Sequence, residues 1–130
     1  MNRVMTCRMM GGVLLLLIGT GCGLGGMQLW RGGADAWPDV VADETTVTRT
    51  ASGMIVVSIS LLTAGIMAIS GVSWAGSAAV LAVILFVAGG FWGNNALFGD
   101  VRPVHTTANG ILAILVLALL WIGNIGHNHD

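Results

Sequence analysis

Four apolar runs dominate this sequence, and none of them holds an Asp, Glu, Lys, Arg or His. They are Met9–Trp30, Ala51–Gly71, Trp74–Phe98 and Thr107–Ile125. Crossing about 30 Å of hydrocarbon takes about 20 helical residues, and each run has roughly that length. In lipid every backbone N–H and C=O needs a partner within the spanning structure, so helix is the default form. A β-barrel would need segments of about ten residues that alternate in polarity, and these runs do not alternate. The expected fold is all-α: an integral membrane four-helix bundle of two antiparallel hairpins, with residues 1–130 forming one transmembrane domain.

Composition points the same way. Hydrophobic residues make up 55% of the chain and charged residues 8%, where a soluble domain carries about 25% charge. Too little polar surface exists to cover a water-facing globule, so the lipid bilayer is the expected solvent. The net charge of −1 offers no field that would gather nucleic acid. Cys7 and Cys22 are the only cysteines and make no disulfide framework.

The connections set an expected orientation. The second and third spans meet near Val72 and Ser73 in a tight turn. Residues 31–50 form a long loop with four acids, Asp35, Asp39, Asp43 and Glu44, flanked by Arg31 and Arg49. Residues 99–106 form a short one. Arg3 and Arg8 precede the first span, and the positive-inside rule then puts the N-terminus in the cytoplasm. An even number of spans returns the C-terminus to that side, in the plasma (inner) membrane, with both longer loops outside. Trp30, Trp37 and Trp92 then lie toward the outer interface, and Trp74 and Trp121 toward the inner one, where amphipathic indoles prefer to sit. Trp37-Pro38 suggests that the long loop folds back onto the membrane surface.

The second and fourth spans open on a shared pattern, V-x-x-T-A-S/N-G, at Val47–Gly53 and Val104–Gly110. The first and third close on Gly25-Gly26 and Gly89-Gly90, each followed by aromatics. Two readings stay open: a duplicated two-helix unit with both halves in one orientation, or a coincidence among small residues common in membrane helices.

Gly21, Gly23 and Gly26 spell a formal G-x-G-x-x-G. A dinucleotide site needs a preceding strand and a βαβ unit, and these glycines close an apolar helix instead. Close helix packing through Gly19/Gly23, Gly21/Gly25 and Gly89/Gly93 is the better reading. The same stretch imitates a lipoprotein leader ending at Cys22, although Gly19 replaces the usual aliphatic and apolar character continues to Trp30.

Polar side chains gather at the expected outer mouth: Asn94, Asn95, Asp100, Arg102, His105 and Asn109. Amides near lipid need partners, so capping and interhelical hydrogen bonding is the plain account. A polar pocket is the functional one, with His105 its most versatile member because imidazole titrates near neutrality and ligates metals. His127, His129 and Asp130 form a weak metal candidate in the tail, where a solvated end is the simpler account.

Absences narrow the function classes. No span carries the ionisable group that ion-coupled transport generally needs. No His lies inside a span to ligate haem, and no Ser-His-Asp setting is visible. No cofactor is expected. The leading expectation is a non-enzymatic accessory or interaction protein that packs against another membrane protein or itself. The alternatives are a carrier or channel for a small neutral solute, and a membrane redox or enzyme subunit.

Overall fold

The computed structural model describes residues 3–37, 40–71, 73–99 and 103–129, without the side chains of residues 4, 103–105 and 123–129. The protein is all-helical. Helix α1 runs Arg3–Gly32, α2 Glu44–Ser70, α3 Ala75–Phe98 and α4 Pro103–His129, with a 3-10 turn at Gly33–Asp35 between α1 and α2. Three helical segments, Met5–Asp35, Glu44–Ser70 and Ala75–Phe98, are long and apolar enough to cross a membrane. The described apolar part of α4 is shorter, Thr106–Ile122.

The helix ends follow local chemistry. Asp43 caps α2, its side chain accepting the Thr46 N–H at 2.8 Å, which satisfies one of the orphan donors of the first turn. Gly71 and Gly99 end α2 and α3 in the left-handed region, at φ 77° and 78°, where a Cβ is disfavoured. Pro103 opens α4, where a missing N–H costs nothing.

Hydroxyls within the helices turn inward on their own backbone. Thr20, Thr50, Ser52 and Ser60 each donate to the carbonyl four residues earlier, at 2.8 to 3.0 Å. That satisfies them without water, as an apolar surrounding requires. The surface around them is apolar: Leu17, Val56, Leu81, Ile84, Ile111 and Ile114 are all exposed. A run of such side chains over four helices is not a water-facing surface.

Helix α1 packs on α2 and α4, and α3 packs on the same two. The main core is built from small residues, with Ala64, Ala68, Ala75, Ala79, Ala82 and Ala113 around Leu15, Leu61, Phe86 and Val116. The α1–α2 contact is the most extensive, and small residues on both helices recur there every seventh position. On α1 they are Gly12, Gly19 and Gly26; on α2 they are Ala51, Ser58 and Gly65. A Cβ on Gly12 would lie 3.0 Å from the Gly65 carbonyl oxygen, and one on Gly65 would lie 2.8 Å from that of Gly12. One on Gly26 would lie 3.2 Å from the Ala51 oxygen. Between them Ser58 donates to the Gly19 oxygen at 2.6 Å. As α1 advances from Gly12 to Gly26, its partners on α2 run back from Gly65 to Ala51. A seven-residue repeat keeps one seam facing its partner over several turns.

Candidate functional site

The polar residues near the junction of α3 and α4 are only partly brought together. On α3, Asn94 is half-buried and Asn95 exposed, and the Asn95 carbonyl accepts the Gly99 N–H at 3.0 Å. On α4, Asn109 is half-buried, with its Nδ2 only 2.8 Å from where a Cβ on Gly90 would sit. The amide of one helix thus occupies the space left by the missing side chain of the other. Thr106 precedes Asn109 by about one turn and so shares its side of the helix. Its Oγ1 is sealed from solvent and has no hydrogen-bond partner. Asp100 and Arg102 lie outside the described residues, as does the side chain of His105 in the first turn of α4.

The long loop closes over the same end of the molecule. The Val41 N–H donates to the Leu97 carbonyl at 2.8 Å, which occupies an orphan acceptor in the last turn of α3. Trp37 packs against Gly25, 3.6 Å from its Cβ position, and its Nε1 donates to Gln28 Oε1 at 3.4 Å. Glu44 Oε1 accepts the Ala34 N–H at 3.4 Å. These contacts surround a second apolar cluster of Leu29, Val47, Ala51 and Leu97. Of the loop acids, Asp43 and Glu44 therefore serve the backbone. The Thr46 N–H hydrogen bond holds the Asp43 carboxyl below the usual aspartate range, with Arg49 adding to the effect.

No protein-family model, curated protein or solved structure matches this chain. Its own geometry is what bears on function.

The glycines singled out in the sequence take different places. Gly19 abuts Leu61 and Leu62, Gly23 abuts Ser58, and Gly25 abuts Met54 and Trp37. Gly89 and Gly93 make ordinary contacts with Val57 and Thr50 of α2. Gly21 meets nothing within 4 Å. Cys7 and Cys22 are free thiols, both half-buried. Among the described residues no three His, Cys, Asp or Glu side chains come together. His127 and His129 belong to the end of α4 with their side chains outside the description, and Asp130 lies outside it altogether.

Sequence reasoning missed Gly12, Gly26, Ala51, Ser58 and Gly65. The seven-residue spacing of small residues was a usable signal, but only when α1 and α2 are read against each other. The sequence grouped Asn109 with Asn94 and Asn95 as a candidate pocket, but nothing in it set Asn109 over Gly90.

Proposed function

We propose that this chain is a four-span membrane protein, a bundle of two antiparallel hairpins, that acts as a non-enzymatic accessory subunit by packing against another membrane protein or itself. The observation that supports it is that, among the described residues, each helix carries an open glycine. Gly21, Gly53, Gly76 and Gly110 meet no heavy atom within 4 Å of a Cβ position. Inside lipid, helices associate where small residues let backbones approach. Glycine on an outward face otherwise gives up helix stability to no purpose. Extraction from native membranes in mild detergent tests this. The chain should elute as part of a larger complex, and Gly53→Leu or Gly76→Leu should release it. A wild-type chain that runs alone as a monomer would sink the proposal.

The proposed address is the plasma (inner) membrane with both termini cytoplasmic, supported by Arg3 and Arg8 ahead of the first span. Thr45, exposed at the start of α2, gives the test. With Cys7 and Cys22 changed to Ser, Thr45→Cys should react with an impermeant maleimide in intact cells. Labelling only after lysis would invert the topology.

A second reading has its own support. Asn109 lies over Gly90 of α3, and the sealed Thr106 hydroxyl lies about one turn before it on α4. These would line a path for a small neutral solute. Vesicle flux lost in Asn109→Leu and retained in Asn95→Ala would favour it; flux equal to empty vesicles would remove it.

A further inference from the structure

The guanidinium of Arg8, on α1, is set against the end of α2. Its Nη1, Nη2 and Cζ lie 3.5, 3.5 and 3.6 Å from the Cβ position on Gly71, so the plane lies flat over the left-handed turn that ends α2. The site suits a cation. The Gly71 N–H reaches back to the Ala68 and Met67 carbonyls, and the C-terminal end of α2 carries partial negative charge. That end does not satisfy the group, because Arg8 Nε is sealed from solvent with no hydrogen-bond partner. With Nε enclosed and one face covering Gly71, the outward edge left on this half-buried side chain is its pair of Nη atoms.

The depth of that edge can be read from its neighbours. Trp74 follows Gly71 by three residues and is 63% exposed. Trp121, 66% exposed, sits next to Leu119 and Leu120, which pack on Gly11. Exposed indoles belong at the headgroup level of a bilayer. An arginine there keeps its aliphatic stem in the apolar layer and its charge at the phosphates. Paired Nη donors match the oxygens of a phosphate, and basic groups between helices at this level bind lipid headgroups.

We propose that Arg8, held over Gly71, is a binding point for a phosphate oxyanion at the membrane surface, carried by an anionic phospholipid. The proposal rests on the membrane-spanning reading of α1 and α2. Recovery of the chain in lipid nanodiscs of either composition tests that reading by itself.

The experiment compares thermal unfolding of the full chain in discs of phosphatidylcholine and of phosphatidylglycerol. Wild type should melt a few degrees higher in phosphatidylglycerol, Arg8→Gln should lose most of that increment, and Arg3→Gln should keep it. Arg8→Lys should keep part of it. Excess inorganic phosphate added to phosphatidylcholine discs separates the sources. No change supports the headgroup, and an equal increment overturns it in favour of the free ion. If Arg8→Gln fails to fold, native mass spectrometry of wild type from mixed lipid decides: preferential retention of phosphatidylglycerol supports the site. Equal retention of the two lipids, or equal increments in wild type and Arg8→Gln, overturns it.

Discussion

Ser58 and Gly19 are joined by a buried hydrogen bond of 2.6 Å from the serine hydroxyl on α2 to the glycine carbonyl on α1. The hydroxyls of Thr20, Thr50, Ser52 and Ser60 bond within their own helices, whereas this one ties two elements together. It sits midway along the small-residue seam, where Gly23 leaves room for the hydroxyl.

Ser58→Ala removes the tie without adding bulk. We expect a loss of about 0.5–1.5 kcal/mol, the usual worth of such a bond. Unfolding by titration with a denaturing detergent measures it. A variant as stable as wild type would mean that packing alone holds this pair of helices.

Gly12→Ala and Gly65→Ala should each cost about 1–3 kcal/mol, as overpacked sites do. Each new methyl would press on the other glycine's carbonyl oxygen, at 3.0 and 2.8 Å, and backbone cannot step aside as a side-chain tip can. Gly21→Ala, with open space before it, should be neutral or stabilising by up to about 1 kcal/mol from helix propensity. The same detergent titration ranks the three. Equal losses at Gly12 and Gly21 would contradict the seam.

Gly99→Ala should destabilise by about 1–2 kcal/mol, because φ of 78° is unfavourable for a residue with a Cβ. Gly99→Asn should lose less, since Asn tolerates that region best among the residues with side chains. Melting temperatures of the two variants make the comparison, and the reverse order would refute the assignment to backbone strain.

The Asp43 cap predicts a pH dependence of definite sign. The folded carboxyl titrates below its unfolded value because the Thr46 N–H favours the charged form. Its contribution is therefore complete above the unfolded aspartate pKa and fades as pH falls through the folded one. Asp43→Asn keeps a good capping side chain and should flatten this acid limb. Melting curves across the acidic range test it, and an unchanged slope would exclude Asp43 as the source.

What the sequence made legible was hydrophobic length. The apolar runs located the helices, and the residues that stop them, Gly71 and Gly99, stand where turns were expected. Helix ends were harder. The run beginning at Ala51 belongs to a helix that starts at Glu44, because the polar turn Thr45–Thr50 is helical without being apolar. Likewise α1 starts at Arg3, well before Met9. Faces were harder still. In lipid both the packed and the exposed sides are apolar, so Leu15 and Leu17 read alike although one is fully buried and the other 63% exposed. Of the polar mouth, the composition of the α3–α4 junction was visible in Asn94, Asn95 and Asn109. That Asn109 would lie over Gly90 depends on helix rotation, which spacing along one helix does not fix.

The paired seven-residue spacing of Gly12, Gly19, Gly26 with Gly65, Ser58, Ala51 works as a vernier. In the register observed, Gly12 and Gly26 lie against the backbone oxygens of Gly65 and Ala51, and Gly19 fits against Leu61 and Leu62, so sliding α1 along α2 by a few residues would break all three fits together. Matching is restored only after a full repeat, roughly 10 Å of travel at 1.5 Å per residue. These two helices are thus barred from small piston strokes against each other and would travel as one strut. The contacts of α3 and α4 with this pair are less extensive and leave more freedom to shift.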